Sequence, residues 1–104
     1  MKIQVSMFGQ KYGIYLSKKE YHNGCLAILA STDDGEPFAT ISTLLPESEN
    51  LDKDSFYVKN WSENEEVVDQ LIKQGVLIVD RKAPVVATGF VLVAAYKLNE
   101  KYVH

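Results

Sequence analysis

Cys25 and His22 stand three positions apart and are the residues in this chain that could form a nucleophile and its base. In such a pair the imidazole takes the thiol proton and leaves a reactive thiolate. Their setting argues for a plainer role. They flank Asn23-Gly24, a strong hairpin-turn signal. A tight turn there points His22 to solvent and Cys25 into the sheet. His104 is the other histidine, at the far end of the chain. Asp33-Asp34-Gly35-Glu36 resembles the opening of a calcium loop only loosely. It lacks the alternating ligand spacing and the distal glutamate, so it reads as a solvated hairpin tip. The sequence contains no Gly-rich phosphate loop, no nucleophile elbow and no His-Glu-x-x-His. An enzyme is therefore not expected, and neither catalytic residues, a metal nor a cofactor is assigned.

Charge offers a different chemistry. The formal net charge is −3. Between Asp33 and Asp69, eleven acids face only Lys53 and Lys59, which leaves −9. Nine bases against three acids leave +6 on the rest. Carboxylates spread over one face can imitate a phosphate backbone and steer a protein to a basic groove. The same acids can equally form an ordinary solvated surface and a helix start, which favours Asp and Glu. The candidates for partner binding are Asp33, Asp34, Glu36, Glu63, Glu65 and Glu66. Trp61 is their apolar anchor if it is exposed, and a residue packed under the helix start if it is not. Lys18-Lys19 and Arg81-Lys82 are short basic pairs, and basic residues do not interleave with aromatics. Direct nucleic-acid contact is not expected.

These residues must be positioned by few elements. Lys59 to Gly75 holds the one convincing helix. Ser62 with Glu65 reads as a capping box, worth roughly 1 kcal/mol at the cap. Val67, Val68, Leu71 and Ile72 share one face, and Gly75 closes the helix. Truncating Leu71 to Ala is expected to cost about 2–5 kcal/mol. Strands are expected at Lys2–Phe8, Tyr12–Ser17, Cys25–Ser31, Phe38–Leu45 and Ser55–Lys59 before the helix. After it come Val76–Val79, read as buried, and a long strand Val85–Leu98 with a bulge at Gly89. Gly9–Gly13 is the first turn, Pro46–Asp54 a mobile loop, and Asn99–His104 a polar tail that frays. The order βββββαββ describes an α+β fold, a twisted antiparallel sheet of about six to seven strands packed on a single α-helix.

The 104 residues form one domain, 1–104, large enough for a single core. One cysteine excludes an internal disulfide and fits a reducing cytoplasm. Met1-Lys2-Ile3-Gln4 is followed by no long apolar run, so no secretory signal is expected. No stretch approaches the ~20 apolar residues that span a bilayer, so no membrane partner is expected.

Three stretches carry a resemblance. They are Tyr21-His22-Asn23-Gly24-Cys25-Leu26-Ala27-Ile28, then Gly35-Glu36-Pro37-Phe38-Ala39-Thr40-Ile41 through Leu45-Pro46, then Gly89-Phe90-Val91 followed by Tyr96-Lys97-Leu98. Together they resemble a small family of uncharacterised proteins, of a domain of unknown function, carried by bacterial phages, plasmids and conjugative elements. That family usually places an Asn-rich, Cys-Pro-Trp segment before its helix, where this chain has Lys59-Asn60-Trp61-Ser62. The resemblance implies a mobile-element accessory protein in the host cytoplasm. It implies an inhibitor of a host defence system, of anti-CRISPR or anti-restriction type, whose partner is a CRISPR or restriction effector. The alternative is an element-maintenance or transfer-related binding module with a protein or small-ligand partner.

Overall fold

The chain first reverses at Phe8-Gly9, between β1 (Ile3–Met7) and β2 (Gln10–Glu20). The computed structural model describes residues 1–102. Met7 pairs with Gln10, so the loop has two residues, both left-handed, with φ 53° at Phe8 and 79° at Gly9. That is the type I′ geometry, whose twist matches the flanking strands. The turn is thus shorter than the expected Gly9–Gly13, and β2 runs on through Lys18-Lys19-Glu20 with those side chains exposed. β3 (Leu26–Ser31) and β4 (Pro37–Thr40) follow the Asn23-Gly24 and Asp34-Gly35 turns. They complete an antiparallel sheet in the order β1-β2-β3-β4.

The expected strand Phe38–Leu45 is divided between two sheets. β4 ends at Thr40, and β5 (Ser42–Thr43) belongs to the second sheet. Ile41 between them is fully buried. Its N–H donates to the Ile28 carbonyl (2.9 Å), and its carbonyl accepts from Lys59 N–H (2.8 Å). Ser42 Oγ then accepts the Ile28 N–H (2.9 Å) and shares a hydrogen bond with the Tyr21 hydroxyl (2.8 Å). A side chain thereby replaces the ladder bond lost where the strand changes sheets.

After a 3₁₀ turn at Pro46–Asn50 come β6 (Ser55–Val58), the helix α1 (Asn64–Lys73) and β7 (Leu77–Val79). Next are β8 (Val86–Thr88), β9 (Val91–Val93), β10 (Ala95–Leu98) and a 3₁₀ turn at Glu100–Tyr102. The second sheet has the order β5-β6-β10-β7, and β8 and β9 form a separate hairpin. The fold is α+β with antiparallel sheets and one helix, but it has ten strands in three sheets, not six or seven in one. The single strand expected at Val85–Leu98 is three strands. Gly89, at φ 61°, opens a two-residue turn with Phe90, because Thr88 pairs with Val91. An apolar run with no period of two or 3.6 gives no sign of where it doubles back.

The main core joins both sheets to the helix. Ile3, Val5, Ile14, Leu16 and Ile28 meet Phe56, Val58, Leu77 and Leu98, with Val67, Val68 and Leu71 from α1. Each buried aliphatic side chain contributes roughly 1.5–3 kcal/mol. Ile72 is 36 % exposed and does not join them. Val76 and Leu77 are buried as expected, but Ile78 and Val79 are 50 % and 39 % exposed, because β7 is an edge strand. β6 is buried on both faces: Tyr57 points away from the main core into a second cluster with Val93 and Ala95.

The segment Pro46–Asp54, expected as a loop, is anchored. Ser48 is buried with its Oγ accepting from Leu45 N–H (3.0 Å), and Leu51 packs on the second cluster. Of the expected fraying tail, Glu100 pairs with Lys18 (3.1 Å) and Tyr102 packs on the main core. Val103 and His104, the rest of that tail, lie outside the described residues.

Helix α1 lies along the outer edge of β1. Gln70 Oε1 accepts from Ser6 N–H (2.7 Å), and Gln70 Nε2 donates to the Ser6 carbonyl (2.7 Å). One turn on, Gln74 Nε2 donates to the Gln4 carbonyl (2.9 Å). One turn back, Glu66 Oε1 accepts from Phe8 N–H (3.3 Å). Four helical residues rise about 6 Å and two strand residues about 6.7 Å, so the two ladders stay in step. The helix thereby closes a sheet edge that would otherwise offer free backbone groups to another chain.

Candidate protein-binding surface

The helix start decides where three of the candidate carboxylates stand. The expected Ser62 cap is absent: the helix begins at Asn64, its N-cap is Glu63, and no side-chain cap bond forms. Ser62 is left-handed at φ 57° and uses its carbonyl, not its hydroxyl, to accept from Glu65 N–H (3.2 Å). Asn64 turns inward instead, and its Nδ2 donates to the Thr40 carbonyl (2.7 Å). A buried asparagine on the first turn leaves Glu63, Glu65 and Glu66 exposed around it. Asp69 is exposed one turn further on. The first turn of a helix is where acidic side chains are favourably placed against the macrodipole.

The other acidic group is placed elsewhere. Asp33, Asp34 and Glu36 sit exposed at the β3–β4 turn. Asp33 is already neutralised by Lys2, with Nζ to Oδ2 at 2.9 Å. The Lys2 hydrogen bond holds the Asp33 carboxyl below its usual value, and the same bond raises the lysine. Gly13 leaves room for this bridge, since a Cβ there would come within 2.7 Å of the Lys2 stem. Lys2 precedes β1 and Phe8 follows it, so the two acidic groups are tied to opposite ends of that strand. Six strand residues span about 20 Å. The seven residues singled out in the sequence therefore do not form one cluster.

Charge does not separate along the chain as the segment sums suggest. Bases from the two ends reach into the acidic stretch. Lys97 Nζ contacts Asp54 (2.6 Å) and Asp52 (3.4 Å), and Lys82 contacts Asp52 (3.7 Å). The Lys97 hydrogen bond lowers the Asp54 carboxyl, and the bond to Asp54 in turn raises Lys97. Among the described residues, Asp34, Glu36, Glu63, Glu65 and Glu66 make no ion pair with lysine or arginine.

Trp61 is half-buried and packs on the cluster of Tyr57, Val93 and Ala95, which contains no residue of the helix. The exposed aromatic beside the helix acids is Phe8, at 76 % exposure, with its N–H bonded to Glu66. The sequence carried a signal for it. A Phe-Gly pair between two alternating strands puts a ring where a two-residue turn favours Asn or Asp. A second exposed apolar surface is the outer side of the β8–β9 hairpin, with Val85, Leu92 and a fully exposed Phe90.

The thiol and imidazole are not brought into one cleft. His22 is exposed and Cys25 half-buried. Cys25 lines an open cleft of about 460 Å³ with Glu20, Glu49, Asp52 and Lys53, and His22 is not part of its lining. Among the described residues, no group of three or more His, Cys, Asp or Glu side chains could hold a metal ion. No helix among them is long and apolar enough to cross a membrane. What the surface offers is a set of exposed carboxylates, one of them hydrogen-bonded to the backbone of an exposed phenylalanine. Comparison of the chain with protein-family models, with curated proteins and with solved structures found no match.

Proposed function

We propose that this protein is a non-enzymatic accessory protein that works by binding another protein through the acidic start of helix α1. The observation that carries the reading is the exposure of Glu63, Glu65 and Glu66 around one helical turn without a lysine or arginine partner. Such a set complements a groove lined with lysine and arginine, the kind of groove that holds nucleic acid. The hairpin acids Asp34 and Glu36 form a second, separate acidic patch at the other end of β1. With the resemblance noted above, the partner is a host defence protein that handles nucleic acid, and the setting is the bacterial cytoplasm. Occupying its groove inhibits that protein without any chemistry by this chain.

The test is capture from bacterial lysate with the native chain and with a Glu63→Lys/Glu65→Lys variant as bait. The reading expects a basic nucleic-acid-handling protein on the native bait, lost from the variant and released by its nucleic acid. Equal capture by both baits contradicts it.

A second reading has its own observation. The exposed outer side of the β8–β9 hairpin suits an apolar contact, as in an element-maintenance or transfer-related binding module. Binding through that side persists from low to physiological salt, whereas carboxylate docking weakens.

A further inference from the structure

Phe8 stands in a backbone conformation that the hairpin needs and that a phenylalanine side chain disfavours. Its φ of 53° lies in the left-handed region, where a bulky side chain is a genuine outlier. Its ring is 76 % exposed, so burial does not offset the strain. Asparagine or glycine would serve a type I′ turn better. Strain kept at an exposed position is a mark of a binding site. The position is also fixed: the Phe8 N–H is held by Glu66 Oε1 at 3.3 Å, and the turn rises from paired strands on both sides.

We propose that Phe8 is the apolar anchor of a docking surface for a protein whose contact face carries an apolar pocket ringed by lysine and arginine. This deepens the proposed function and rests on it for the charge of the partner. The ring carries the inference, and the charges around it select the occupant. Glu66 touches the Phe8 backbone, and Glu63 and Glu65 stand on the same helical turn, so a pocket that takes the ring meets carboxylates at its rim. An aromatic ring at the centre with charged groups at the rim is the arrangement that concentrates binding energy in few residues. Phe8 fills the role that the sequence offered to Trp61, which packs inward.

The test uses Phe8→Asn, a variant that suits the turn and so does not fail by unfolding. Its melting temperature is expected to rise by about 4 °C or more. The probes are the peptides Ac-Arg-Arg-Leu-Arg-Arg-amide and Ac-Arg-Arg-Gly-Arg-Arg-amide, titrated while backbone amide resonances are followed. The leucine peptide should shift the Phe8, Gly9 and Glu65 amides of the native chain and bind about threefold or more tighter than the glycine peptide. In Phe8→Asn that preference should vanish. Equal binding of the two peptides to the native chain, or a leucine preference that survives in Phe8→Asn, overturns the anchor. If Glu63→Lys/Glu65→Lys still abolishes binding in that case, the acidic reading stands without it. If neither peptide moves these amides at millimolar concentration, both fail. An unchanged or lower melting temperature for Phe8→Asn removes the strain on which the inference rests.

Discussion

Single residues show where geometry overrules pattern. Ser62 and Glu65 have the spacing of a capping box, yet Ser62 is turned to φ 57° and bonds through its carbonyl. A real cap lost to Ala costs about 1 kcal/mol. Here Ser62→Ala is expected to change stability by less than about 0.5 kcal/mol, the usual range for a surface site. Ser62→Gly should stabilise by about 1 kcal/mol through relief of the left-handed strain. Paired denaturant curves decide between the two, and a clear loss in Ser62→Ala would restore the cap.

Asp80 is a second such residue. It is buried, its Oδ2 accepts the Ser55 hydroxyl (2.6 Å) and its Oδ1 accepts the Lys82 N–H (3.1 Å). The Ser55 hydrogen bond holds its carboxyl below the usual aspartate value, against the opposing effect of burial. Because the folded state binds this proton less readily, the stabilisation is complete above the unfolded value, about 3.9. It is lost as pH falls through the lower folded value. Asp80→Ala should cost about 1–3 kcal/mol at neutral pH, since the Ser55 hydroxyl loses its partner. Urea midpoints of both proteins should converge as the solution is acidified, and a constant gap down to pH ~2 would contradict the assignment.

Among the elements, the buried face and the end of the helix and two of the tight turns were legible in the sequence, and the helix start, the other two turns and the sheet boundaries were not. Val67, Val68 and Leu71 gave the buried helical face, and Gly75 gave its end, at φ 78°. Asn23-Gly24 and Asp34-Gly35 gave two turns because their chemistry is local. The passage of one strand between two sheets at Ile41 depends on bonds to Ile28 and Lys59, which are remote in sequence. The β8–β9 hairpin hides in an apolar run whose residues are alike on both faces. Gln70 and Gln74 look like ordinary polar helix positions, yet they satisfy the edge of β1. Gln70→Ala leaves the Ser6 N–H and carbonyl to water and should cost about 1–3 kcal/mol. Hydrogen exchange at Ser6 should accelerate in that variant. Exchange as slow as in the native chain would mean that the helix does not guard the strand.

For the whole molecule, the charge totals of the two sequence portions were legible and their distribution in space was not. Lysines at positions 2, 82 and 97 fold back onto Asp33, Asp52 and Asp54. Among the described residues, that leaves the helix start, Asp34 and Glu36 of the β3–β4 turn, and the 3₁₀ turn with Glu47 and Glu49 as acidic sites without a lysine or arginine partner, instead of one continuous face. A phosphate-like surface is therefore confined to short patches, and an apolar contact beside the helix patch gains weight as a source of affinity. The most direct measurement is the Kd of the captured complex at about 0.02 M and 0.15 M salt, for the native chain and for Glu63→Lys/Glu65→Lys. Docking through the helix start predicts weaker binding at the higher salt and a loss of about tenfold or more in the variant. A Kd unchanged by salt and by charge reversal would contradict it.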